Sequence, residues 1–277
     1  MTKQQKKQTR KSSEIGFSLD KIIPEKYQTL FFLSVIFVLI IVFFSPVVFG
    51  GKTIASADFL QGKSLREYAT KERDGLSLWN PHIFCGMPAV VTALSPRWFD
   101  LTSAIYSILS LAFYSVTSDY SITYLLSFII LGFSAYFLMR EFGQSRGVSF
   151  LTAVAVIFST GISVLFFIGH ITKLKSLAVF PFILLMLFRF QKKIKIVDAL
   201  LFTIGIHLLA LGAHVQIVFY FLLTIFIYFI YYFARSFITK DKPLQKQLVK
   251  SLLVSAAACI VALMMSFDTY SQLYEYK

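Results

Sequence analysis

The groups in this chain able to move protons or hold an anion are few and far apart. His82, His170 and His214, with Asp58, Asp100 and Asp268, form one scattered set of imidazoles and carboxylates. His170, Lys173 and Lys175 form the one tight set, in "GHITKLK" (169–175), where an imidazole and two ammoniums recur within six residues. Positive groups at a low-dielectric boundary stabilise a bound phosphate and the charge that develops as it leaves; contact with lipid headgroups or snorkelling of the lysine stems is the plainer use of the same residues. Arg97 and His214 are weaker candidates for the same anion, and Asp268 is a candidate second carboxylate. No close-spaced His pair of metal-ligand type occurs, nor a P-loop, a G-x-S-x-G elbow or a G-x-G-x-x-G turn. Cys85 lies in a polar stretch and Cys259 in an apolar run, so a disulfide framework is not indicated.

The elements that must position these groups are apolar runs. The 277 residues are 57% hydrophobic, with a mean hydropathy of +0.71, and runs long enough to cross about 30 Å of hydrocarbon recur. They cover 30–50, 101–117, 121–139, 148–168, 174–190, 194–234 and 251–267. The run 194–234 would exceed about 55 Å as one helix, so "LGAHVQ" (211–216) divides it in two. A net charge of +13 does not point to nucleic acid here, because no basic stretch lies in a separate soluble domain; basic residues between apolar spans read as topology signals and contacts to anionic lipid.

Orientation follows from those charges. If 101–117 lies on or dips into the outer surface, Arg140, Arg146, Arg189, Lys192, Lys193, Lys195, Arg235, Lys240, Lys242, Lys246 and Lys250 all fall inside, while short outer loops hold Lys173, Lys175 and Lys277. Eleven against three is the direction of the positive-inside rule, and an eighth crossing at 101–117 reverses it. The expectation is an all-α polytopic membrane protein with about seven transmembrane helices. It comprises a cytoplasmic basic tail (1–28), a first span (29–50) acting as a retained signal anchor, an extracytoplasmic loop (51–119) with short helices and the membrane-associated segment 101–117, a bundle (120–267) and an extracytoplasmic end (268–277). His82, His170, His214, Asp58, Asp100 and Asp268 then share the outer face. His207 remains within a span, expected to serve as an interhelical hydrogen-bonding residue.

In the outer loop, "LWNPHIFCGMPAV" (78–90) follows a helical-looking stretch at 64–74. Pro81, Pro88 and Pro96 fix backbone angles and Gly86 permits a tight bend, so the segment reads as an ordered turn assembly anchored by Trp79, Met87 and Trp98. Asn80 completes its Trp-Asn-Pro corner. A plain cap on the bundle is the alternative role.

An Asp shortly after the first span, then "LWNPHIFCGMPA", "REFGQSR" and "GHITKLKSLAVFPF", resembles the YfhO-type bacterial membrane proteins, which are similar to the GT-C superfamily of lipid-dependent glycosyltransferases. The likeness runs from about residue 30 onward. Cys85 stands where such proteins usually carry Gly, and such proteins usually continue for several hundred residues, so the chain is expected to correspond to their N-terminal part, as a fragment or a truncated product. The resemblance implies sugar transfer from a polyprenyl-phosphate-linked donor to a cell-envelope acceptor on the outer face of the bacterial cytoplasmic membrane. It implies that Asp58 is the catalytic base, that His170, Lys173 and Lys175, with Arg97 and His214, hold the donor phosphate, and that Mg²⁺ or Mn²⁺ is a fitting cofactor. The turn assembly of Trp79, Asn80, Pro81, Gly86, Met87 and Pro88 would order the loop that carries Asp58. A non-catalytic assembly or scaffold protein is the first competing reading. A lipid or solute transporter is the second, disfavoured because the spans hold few ionisable or helix-breaking residues beyond His207, Pro181 and Gly205.

Overall fold

Among the described residues, six helices are long and apolar enough to cross a membrane: Glu25–Phe43, Ile122–Glu141, Arg146–Ile168, Ile171–Lys192, Gln216–Ile238 and Lys242–Met265. The computed structural model describes residues 22–56, 60, 64, 67–68, 71, 79–82, 85–88, 119–211 and 214–267. In chain order these hold α1 (Glu25–Phe43), α2 (Ser45–Val48), β1 (Trp79–Asn80), β2 (Met87–Pro88), α3 (Asp119–Glu141), α4 (Arg146–Ile157), α5 (Thr160–Ile168), α6 (Ile171–Ala178), α7 (Phe180–Lys192), α8 (Ile196–Leu211), α9 (Val215–Ile238) and α10 (Lys242–Met265). A multi-pass membrane protein built of helices is the outcome, as composition requires, because helices satisfy their own backbone groups in hydrocarbon.

Several boundaries depart from the hydropathy reading. The first span begins at Glu25, inside the stretch assigned to the basic tail, and gives way at Phe44 to the short helix α2, which has Pro46 in its first turn. The run 194–234 does divide at 211–215, but its first half, α8, has 16 residues. At 1.5 Å per residue that is about 24 Å, short of the hydrocarbon thickness, so α8 stands beside the six as a shorter apolar helix. The segment 101–117 lies outside the described residues.

Two of the six are interrupted. Arg146–Ile168 is α4 and α5, parted at Phe158 and Ser159, whose hydroxyl accepts from the Ile162 N–H and caps α5. Ile171–Lys192 is α6 and α7, parted at Val179 with Pro181 at the start of α7. Proline has no N–H for the carbonyl four residues back, so the ladder is broken there. Pro181 thus breaks a helix as expected. Gly205 does not: it sits inside the unbroken α8, where a Cβ would come within 2.8 Å of Ile183 Cγ1 and 3.2 Å of Phe182 Cδ1 on α7. Its role is to let two helices approach.

Ion pairs tie one end of the bundle together. Arg189 on α7 donates to Asp198 on α8 at 3.2 Å and pairs with Glu141 on α3 at 3.7 Å, and Lys192 meets Glu141 at 2.6 Å. Arg146 at the start of α4 reaches Gln28 and Glu25 at the start of α1, each at 3.1 Å, and Gln247 on α10 donates to the Phe190 carbonyl. Above this end lie two cores. Ile36, Ile40, Tyr124, Phe128, Tyr136, Ile157 and Leu174 centre the first, from α1, α3, α4 and α6. Ile183, Met186, Phe190, Phe202, Leu209, Phe221 and Ala262 centre the second, from α7 to α10. Ile130 and Phe137 of α3 pack against both.

Replacing Gly205 by Val should lower stability by about 1–3 kcal/mol through overpacking against Ile183 and Phe182. Gly147→Ala, where a Cβ meets open space, should leave it unchanged or slightly raised. Thermal unfolding of the purified chain in detergent checks both; equal behaviour of the two variants would contradict the close contact.

Candidate functional site

The end of the bundle opposite the ion pairs gathers two of the three histidines expected to share a face. Gly169 closes α5 with a φ of +96°, a left-handed position that glycine adopts without strain. His170 follows as the N-cap of α6, with Lys173 one turn into that helix. His214 is the N-cap of α9, which packs against α6. The three come together: burial first, then the Lys173 ammonium, then His170 push the His214 imidazole below its ordinary pKa.

The backbone adds to the same charge. Neither His170 nor His214 caps its helix with its side chain, and α6 and α9 both run away from this end. Two helix N-termini therefore face it, each with N–H groups outside the helical ladder and the positive end of its dipole. The His214 Nδ1 is enclosed and has no hydrogen-bond partner among the described residues. An ammonium, two imidazoles and two helix starts in one place have the chemistry to attract an anion with several oxygens, such as a phosphate. Sequence alone offered the side chains but not the helix starts, because helix register and packing decide which starts become neighbours.

Lys175 lies in the last turn of α6, two residues and about 200° around the helix from Lys173. Asp58, Arg97 and Asp268 lie outside the described residues. Mg²⁺ or Mn²⁺ calls for carboxylate oxygens, which the described part of this cluster lacks. No group of three or more His, Cys, Asp and Glu gathers among the described residues.

The turn assembly is ordered where it is described. Trp79–Asn80 pairs antiparallel with Met87–Pro88, Trp79 opposite Pro88 and Asn80 opposite Met87. Pro81 and His82 form the turn, and Gly86 has a φ of +113° with the Trp79 ring so near that a Cβ would meet it at 2.7 Å. Cys85 also takes a left-handed φ, +63°, a conformation that glycine accepts more readily. Leu60, Ser64, Glu67, Tyr68 and Lys71 are helical, and the Tyr68 ring meets His82 edge-on at 4.6 Å. His207 is buried, and its Nδ1 lies 2.8 Å from the Ser266 hydroxyl just past α10, the interhelical role expected of it. The ion-paired carboxylates Glu141 and Asp198 were not foreseen; a lone acid beside a run of basic residues at a span end was their signal.

Because the folded His214 titrates below its unfolded value of 6.5, the unfolded chain binds the extra proton more tightly. Stability should therefore fall as pH drops below about 6.5 and level off above it. A bound phosphate favours the charged imidazole, reverses that penalty and takes up a proton. Thermal unfolding from pH 8 to 5, with and without inorganic phosphate, should show this dependence in the wild type and a flatter one in His214→Gln.

Comparison with models of protein families, with characterised proteins and with solved structures gives no significant match to this chain.

Proposed function

We propose that this chain is a glycosyltransferase-like membrane protein of the YfhO and GT-C type. It would transfer a sugar from a polyprenyl-phosphate donor to a cell-envelope acceptor on the outer face of the bacterial cytoplasmic membrane. The observation that carries the reading is the meeting of His170, Lys173 and His214 with the starts of α6 and α9 at one end of the bundle. That end is opposite the end rich in Arg and Lys. By the positive-inside rule the basic end is cytoplasmic, which sets the N-terminus inside, the phosphate site outside and α8 as a seventh, short crossing held by its neighbours.

In the transfer, the acceptor hydroxyl oxygen attacks the anomeric carbon of the sugar while its proton passes to the Asp58 carboxylate. The bond from that carbon to the phosphate oxygen breaks, and the lipid phosphate leaves with the electron pair. Lys173, with whichever of His170 and His214 is protonated, takes up the charge that appears on the leaving oxygen, an interaction stronger in the transition state than before it. The 79–88 turn assembly orders the loop that carries Asp58.

A lipid or solute carrier is the second reading, and the interruptions of Arg146–Ile168 and Ile171–Lys192 favour it, since broken spans mark the binding sites of many carriers. Transfer of labelled sugar from polyprenyl-phosphate donors by membranes bearing the wild type, Asp58→Asn or Lys173→Gln separates the two. A transferase should lose about 10²–10⁴-fold with Asp58→Asn and should bind donor more weakly with Lys173→Gln. Donor crossing the bilayer with no sugar transferred, equally in wild type and Asp58→Asn, would favour the carrier.

A further inference from the structure

At the ion-paired end of the bundle three basic residues have carboxylate partners among the described residues, and of the others three form a row along one helix. Arg146, Arg189 and Lys192 meet carboxylates. Lys242, Lys246 and Lys250 recur every fourth residue from the start of α10, and all three are exposed. None of them is ion-paired among the described residues. A spacing of four places them in one file along the helix, each about 6 Å beyond the last.

That file is locally unfavourable. Like charges four residues apart on a helix repel by about 0.2–0.5 kcal/mol per pair, and two such pairs occur here. Lys242 also occupies the first turn, where the helix dipole favours an acid. The nearest acid, Asp241, has its carboxylate engaged in capping the Leu244 N–H at 3.0 Å. The helix could have spread these charges around its circumference; instead they share a face.

The same face continues as exposed Leu253, Ala257, Ile260 and Met264, while Leu248, Ser251, Ser255, Ala258 and Ala262 are buried on the other side of α10. The apolar stretch from Ser251 to Phe267 would be about 25 Å long as a helix, so it fills most of the hydrocarbon and leaves the lysine file beside the headgroup phosphates. We propose that Lys242, Lys246 and Lys250 form a docking site for an anionic phospholipid, the lysine nitrogens on its headgroup phosphate and the acyl chains along the Leu253–Met264 face. Charge complementarity and the continuity of one face from ammonium to hydrocarbon identify the occupant. The site is separate from the phosphate cluster at the other end and independent of the transferase reading.

The test uses the full chain in phosphatidylcholine vesicles containing spin-labelled phosphatidylglycerol or spin-labelled phosphatidylcholine. The wild type should hold phosphatidylglycerol in its motionally restricted shell in preference, and Lys246→Gln with Lys250→Gln should reduce that preference by up to about fivefold per lysine removed. Lys193→Gln with Lys195→Gln removes the same charge from another loop at this end and should change it little. Arginine at 246 and 250 should retain it, which separates charge from folding. Equal losses in both glutamine pairs would mean diffuse attraction to the whole basic end and would overturn the site, as would no loss in either. A change in oligomeric state on Lys246→Gln and Lys250→Gln with unchanged lipid preference would assign the face to a second copy of the chain instead.

Discussion

Arg189 joins carboxylates from two other helices, and the rest of the bundle is arranged around that junction. Asp198 is 6% exposed. A carboxylate so placed beside hydrocarbon needs a partner, and the half-exposed Arg189 supplies it. Meeting Asp198 fixes the end of α7 against the start of α8, and meeting Glu141 fixes it against the end of α3. With those helices held at one end, their lengths decide which residues arrive together at the other.

At that other end the neighbours are cationic groups and helix starts. His170 and His214 head parallel neighbouring helices, so their positive ends add where an antiparallel pair would cancel. Burial first, then the Lys173 ammonium and then His170 drive the His214 imidazole toward its neutral form. A bound anion would offset the repulsion among these groups. Structural histidines are normally placed to avoid such strain: His207, hydrogen-bonded to Ser266 in the same region, shows what a settled imidazole looks like in this protein.

Much of the fold was legible because hydrocarbon imposes a simple rule on composition. The spans at 121–139, 148–168, 174–190 and 251–267, the division at 211–216 and the alternation of basic and nearly uncharged connections all follow from run length and charge. Hydropathy does not register local backbone chemistry, so the split at Ser159 left no trace in it, whereas the one at Pro181 was marked by the proline itself. Gly205 looked like a break because glycine lowers helix propensity; its missing Cβ serves the contact with Ile183, a tertiary fact. Among candidate site residues, type and position pointed to His170, Lys173 and His214, which the bundle brings to one end. Lys175 lies in the last turn of α6, and two residues on a helix are nearly opposite.

Synthesis from the N-terminus puts the two buried polar contacts of α8 on different clocks. Asp198 follows Arg189 by nine residues, so its partner is already made when it emerges and the α7–α8 hairpin can neutralise it at once. His207 must wait for Ser266, fifty-nine residues later. Until α10 is complete the far half of α8 holds an imidazole without that partner. The helix therefore locks from its charged end first, and the end that carries His207 becomes fixed only when the final described helix has entered the bilayer.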